Sequence, residues 1–192
     1  MRPAFGVLAL QGDFAAHEAA LRRAGVAAGE LRRVRRVGEL AGVKGLVLPG
    51  GESTTVLKLM AEEDWFAALR GFHAEGGAIF GTCAGAILLA REVRGPSQPS
   101  LGLLDATVDR NAYGRQADSF EAEIDAPELG GRVRGVFIRA PRLASTGPAV
   151  EVLGRLGDAA VLVRQGRVLA ATFHPEIAGD DRLHRLFIGL AA

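Results

Sequence analysis

The chain has 192 residues, of which 48% are hydrophobic, enough to bury a core and to exclude an intrinsically disordered chain. Lys and Arg total 23 against 22 Asp and Glu, a balance that argues against a dedicated nucleic-acid binder or a polybasic membrane-surface protein. The single cysteine, Cys83, excludes an internal disulfide and a cysteine-rich zinc site.

In chain order, Phe5 to Leu10 is apolar apart from Gly6 and reads as a buried strand. The run ends at Gln11, Gly12 and Asp13 without a small-residue cleavage pattern, so no signal peptide is expected. No apolar run reaches the roughly 20 residues that span a bilayer, and a cytoplasmic location, where thiols stay reduced, is expected. Ala15 to Ala24 reads as a helix with Asp13 as N-cap and Gly25 as stop. Leu31-Arg32-Arg33-Val34-Arg35-Arg36-Val37 is the densest basic patch. It reads as a strand or loop with solvated arginines rather than a phosphate contact. Gly45 to Leu48 is a second buried strand, followed by Pro49-Gly50-Gly51. Ser53 to Met60, capped by Ser53, and Asp64 to Glu75 are expected to be helical. Ala78-Ile79-Phe80 is a third strand, with a helix from Ala84 to Glu92 directly after it. This rhythm of doubly apolar strands and helices predicts a parallel sheet covered on both faces.

The second half is richer in strands. Leu103 to Arg110, Ser119 to Ile124, Val133 to Arg139, Val150 to Leu156, Ala159 to Gln165 and Val168 to Phe173 are expected, with a hairpin across Val161 to Leu169. Ser97 to Ser100 is a loop. Asp181 to Ala191 closes the chain as a helix, with Leu183, Leu186, Phe187 and Leu190 at helical spacing. The fold expected is one α/β domain over 1–192, a mixed, mainly parallel central sheet flanked by helices, flavodoxin-like.

Three segments carry candidate chemistry. Gly81-Thr82-Cys83-Ala84-Gly85 lies between an apolar strand and a helix, the context of a nucleophile elbow. Its glycines leave room for a strained turn, and a helix N-terminus favours a thiolate. At the end of a later strand, His174 and Glu176 are two residues apart, so on extended backbone they lean to one side. Glu176 can then hold one ring nitrogen while the other faces Cys83. The remaining histidines, His17, His73 and His184, fall on predicted helices and are read as surface or boundary residues. Metal binding finds no helical histidine pair or Cys/His cluster to support it. The glycines of Leu48-Pro49-Gly50-Gly51-Glu52-Ser53 suit either an oxyanion hole or an ordinary capped turn.

Together these motifs resemble the class I, triad-type glutamine amidotransferases. Leu8 to Phe14 with His17, LPGGEST at 48–54, GTCAGAILLA at 81–90, DRNAYGRQADSFEAE at 109–123, VFIRAP at 136–141 and TFHPE at 172–176 are similar to the glutaminase subunits of pyridoxal 5'-phosphate synthase. The resemblance implies hydrolysis of glutamine to glutamate and ammonia through a glutamyl thioester on Cys83. His174 would be base and then acid, with Glu176 orienting it. The N–H groups of Gly51 and Ala84 would form the oxyanion hole. Glu52, Ser53, Arg110, Ile138 and Arg139 would contact glutamine, and Gln11 would lie near the oxyanion loop. The implied partner is a (β/α)-barrel synthase subunit in a large hetero-oligomer that receives the ammonia. Pyridoxal 5'-phosphate would be the product of that complex, and no cofactor is implied for this chain. Two competing readings are another thiol hydrolase on a similar fold and a catalytically silent regulatory subunit.

Overall fold

The computed structural model describes residues 4–110 and 119–192. Four short strands form the centre: β1 (Phe5–Leu8), β3 (Gly45–Leu48), β4 (Ala78–Thr82) and β12 (Val168–Ala171). Every residue in them is buried, which is why they read as continuous apolar runs rather than alternating ones. β2 (Leu31–Val34) lines the edge beside β1, in parallel register. Its arginines mark it as an edge that faces solvent. Arg33 clasps Glu18 through two bonds of 2.7 and 2.8 Å, and Arg32 reaches the Glu39 carbonyl.

The remaining strands are β5 (Ala90–Arg94), β6 (Leu104–Asp109), β7 (Phe120–Ala126), β8 (Gly131–Phe137), β9 (Arg142–Thr146), β10 (Glu151–Leu156) and β11 (Ala159–Gln165). The main sheet runs β2-β1-β3-β4-β12-β11-β10-β7-β8. Its first five strands are parallel and repeat the 2-1-3-4-5 order of flavodoxin-like sheets. From β12 onward the pairing is antiparallel, beginning with the expected hairpin, in which Gln165 faces Val168.

Helices α1 (Phe14–Arg23) and α5 (Arg182–Leu190) cover one face of the parallel half; α2 (Ser53–Met60), α3 (Trp65–Ala74) and α4 (Ala84–Leu89) cover the other. Adjacent residues of β4 serve the two layers. Ile79 joins Leu46, Met60, Trp65 and Leu69, while Phe80 joins Leu21, Leu169 and Phe187, as the two-residue period of a strand requires. Asp13 caps α1 through Ala16 N–H, as its position predicts. α2 is capped differently from expectation. Glu52, not Ser53, is its N-cap, and its carboxylate accepts the N–H groups of Thr54 and Thr55.

α4 also departs from the sequence expectation. It ends at Leu89, and Ala90 to Arg94 form β5 of a separate three-stranded sheet, β5-β6-β9. The segment after the 97–100 loop competes for the helix's last carbonyls. Leu101 N–H donates to Leu88 O at 2.7 Å and Leu103 N–H to Leu89 O at 3.0 Å. Those bonds satisfy groups a continuing helix would have used. β9, which the sequence does not announce, pairs antiparallel with β6 and completes this sheet.

Candidate active site

The carboxyl ends of β1, β3, β4 and β12 converge on one rim, where ligand sites of open α/β sheets lie. Cys83 sits there between β4 and α4, 6% exposed, with φ 48° and ψ −105°. A left-handed φ at a non-glycine residue carries strain. The turn is held by Cys83 N–H donating to Ala171 O at 2.9 Å. The flanking glycines are a steric need. A Cβ on Gly85 would stand 2.0 Å from the Leu48 carbonyl oxygen, and one on Gly81 would stand 2.6 Å from the Gly85 backbone.

His174 follows β12 and is anchored by its N–H to Val136 O at 2.8 Å. Its Nδ1 lies 2.7 Å from Glu176 Oε1, whose side chain is fully buried. Burial opposes a charge on His174, yet hydrogen bonding to Cys83 and Glu176, with their negative charges, prevails and pushes its pKa up to about 10. The ring therefore holds its proton at neutral pH, beside the sulfur and steadied by a carboxylate. That arrangement can stabilise a thiolate and then deliver a proton.

Gly50 lies directly beneath the pair. A Cβ there would meet His174 Cε1 at 2.4 Å and Cys83 Cβ at 3.2 Å. Gly50 N–H donates to Thr82 Oγ1 at 3.0 Å, and Glu52 N–H to Gln11 Oε1 at 2.9 Å. Gly51 thus stands between two anchored neighbours, with Gln11 packed against it. A cleft of about 110 Å³ opens over the sulfur, lined by Gly51, Glu52, Ser53, Cys83, Ile87, Arg110, Ile138 and Arg139. It collects the expected glutamine contacts, with Ile87 added. Ala84 is the first residue of α4, beside the sulfur. Arg110 lies 3.7 Å from Glu52 across the mouth. Bonds from the Thr54 hydroxyl and the Thr55 and Thr54 N–H groups outweigh burial and hold Glu52 at about 2, so both signs of charge face the cleft. Arg139 has φ 44°, a second strained residue in the wall. Residues 111–118 of the 109–123 motif lie outside the described residues.

The model of the SNO glutamine amidotransferase family matches residues 7–191. The chain belongs to this family. Two similar proteins are both named pyridoxal 5'-phosphate synthase subunit PdxT. The one from Deinococcus radiodurans is 55% identical over 191 residues, covering 97% of this chain and 96% of the relative. One from Thermus thermophilus is 56% identical over 193 residues, covering 100% of this chain and 99% of the relative. A crystal structure described as a glutamine amidotransferase superposes with a TM-score of 0.91 at 54% identity, covering 98% of each chain. The structure of PurLQS from Thermotoga maritima, at 17% identity and TM-score 0.72 over 99% of this chain and 98% of that one, shares the fold.

In this glutamine amidotransferase two of the three histidines set aside as surface or boundary residues are fully buried: His17 and His184 are 0% exposed. Helical spacing carried that signal. His17 shares a face with Ala20 and Leu21, and His184 shares one with Phe187, all buried. Gln98, in the 97–100 loop, accepts the Ser53 hydroxyl at 2.9 Å and so braces one wall of the cleft. No sequence pattern pointed to Gln98, because the contact spans 45 residues.

Proposed function

We propose that the chain hydrolyses L-glutamine through Cys83, His174 and Glu176 and supplies the ammonia used for pyridoxal 5'-phosphate synthesis. One observation carries this reading. The only cysteine sits on a strained turn lining a small charged cleft, beside a histidine held by a buried carboxylate. The Cys83 thiolate attacks the side-chain carbonyl carbon of glutamine. The N–H groups of Gly51 and Ala84 receive the oxyanion. His174 gives its proton to the departing nitrogen, ammonia leaves, and a glutamyl thioester remains. A water then loses a proton to His174, attacks the thioester and releases glutamate, restoring the thiolate and imidazolium pair. Arg110 and Arg139 suit the α-carboxylate, and the Glu52 carboxylate suits the α-ammonium.

The ammonia passes to a synthase subunit, for which we adopt a (β/α)-barrel in a large cytoplasmic hetero-oligomer. Free ammonia is mostly ammonium at neutral pH, a poor nucleophile, so direct transfer preserves its reactivity. The chain needs no cofactor for this chemistry, and pyridoxal 5'-phosphate is the product of the complex. A glutamine-mimicking electrophile tests the reading. It should modify Cys83 once per chain and be blocked by glutamine. Absence of labelling in the assembled complex would favour a silent subunit, and labelling that glutamine leaves untouched would favour another thiol hydrolase.

A further inference from the structure

Behind the triad lies a row of buried polar groups that the mechanism above does not use. His17 on α1, His184 on α5 and Thr82 at the end of β4 are each 0% exposed. His17 Nδ1 lies 3.1 Å from His184 Nε2, and His17 Nε2 lies 3.0 Å from Thr82 Oγ1. Thr82 Oγ1 also accepts the Gly50 N–H. The same His17 Nε2 stands 3.4 Å from Glu176 Oε2. That oxygen and His184 Nδ1 have no hydrogen-bond partner among the described residues.

The hydrogen on His17 can sit on either nitrogen. Burial, with the nearby His184 and His174, lowers its pKa well below the usual histidine range, so the ring is neutral. With the hydrogen on Nδ1, a nitrogen lone pair would face the Glu176 carboxylate. His184 Nε2 would then accept, leaving a buried N–H stranded on its Nδ1. With the hydrogen on Nε2, the N–H points at Thr82 Oγ1 and Glu176 Oε2. His184 Nε2–H donates to His17 Nδ1, a lone pair is left unused on His184 Nδ1, and the Thr82 hydroxyl, whose oxygen now accepts from both His17 and Gly50, gives up His17 as its acceptor. Each arrangement thus leaves one buried donor hydrogen to place, and the charges choose between them. The first sets a lone pair against the Glu176 carboxylate, whereas the second exchanges a neutral contact, from the Thr82 hydroxyl, for one to an anion.

We propose that His17, with its tautomer fixed by His184, is a positioning residue of the glutaminase. Its Nε2–H is shared between Glu176 Oε2 and Thr82 Oγ1. One imidazole thereby links the carboxylate that orients His174 to the hydroxyl that anchors Gly50 beneath the nucleophile. The Oε2 contact is long in this structure, 3.4 Å, as catalytic hydrogen bonds commonly are before substrate binds. The proposal rests on the glutaminase reading and refines it.

The test uses the full-length chain with its synthase subunit, comparing wild type with His17→Leu and His17→Gln. Leucine fills space without an N–H; glutamine carries an amide N–H at about the reach of Nε2. His17→Leu should lower kcat by about tenfold to a hundredfold and leave KM for glutamine within about twofold. His17→Gln should recover most of the loss. A wild-type kcat in His17→Leu, or a glutamine variant no better than leucine, would overturn the proposal. Heteronuclear NMR of the histidine rings in the wild-type chain decides independently of folding or turnover in the variants. His17 should be neutral with its hydrogen on Nε2, and a hydrogen on Nδ1 would contradict the assignment. A wild-type complex that fails to hydrolyse glutamine would count against the glutaminase reading, while the NMR result would still decide where the hydrogen sits.

Discussion

Three buried histidines, one beside the sulfur and two behind it, hold opposite charge preferences, and the difference comes from their neighbours. His174 faces Cys83 and Glu176 and is raised to about 10. His184 is lowered to about 4, chiefly by burial, and His17 moves in the same direction. Each shift is also a statement about stability. A raised histidine adds stability that is complete below the ordinary value of 6.5 and is lost as pH climbs toward 10. A lowered histidine destabilises as pH falls from 6.5 toward 4, because the unfolded chain takes up protons that the native one refuses. Denaturant midpoints measured against pH should therefore fall on both sides of about 6.5. His174→Asn should flatten the alkaline limb and leave the acid limb in place. An unchanged alkaline limb in that variant would mean that His174 is not the group responsible.

The strand-turn-helix unit from β4 to α4 sets the position of Cys83, the proposed nucleophile, and its steric limits are tight. Gly85→Ala would force a methyl to within 2.0 Å of the Leu48 carbonyl oxygen. It should cost about 3 kcal/mol or more, visible as a large drop in Tm with loss of glutamine turnover; a variant of unchanged Tm would show that β3 and α4 are packed more loosely than described. This unit was legible in the sequence because apolar run, glycine-flanked cysteine and Ala/Leu run are contiguous. β1, β3, β11 and the hairpin to β12 were legible for the same local reason. The end of α4 was not. Ala90 to Arg94 continue a plausible helix, and only bonds from Leu101 and Leu103 stop it at Leu89. β9 escaped notice because its identity as a strand depends on pairing with β6. The roles of His17 and His184 depend on two helices meeting behind β4, which helical spacing hints at and only the tertiary fold shows.

Across the whole molecule, the parallel half of the sheet presents its loops at one rim, and that rim holds Gln11, Gly50, Cys83 and His174. The β5-β6-β9 sheet contributes Arg110, directly after β6, to the same cleft. Both sheets thus line the cleft proposed as the hydrolytic site, and the ammonia released is used, in the function proposed above, by a separate synthase chain. Two adjacent glycines in the Gly50–Gly51 loop would allow a peptide flip that makes or breaks the proposed oxyanion hole, and we propose this flip as the partner's means of controlling hydrolysis. Glutamine hydrolysis should be faster with the synthase subunit than without it, and equal rates would rule out the loop as a partner-driven switch. The central claim is that Cys83 is the nucleophile. Its most direct measurement is ammonia release from glutamine by the assembled complex, comparing wild type with Cys83→Ala. The account predicts no release above background from the variant, with assembly intact; continued release from Cys83→Ala would contradict it.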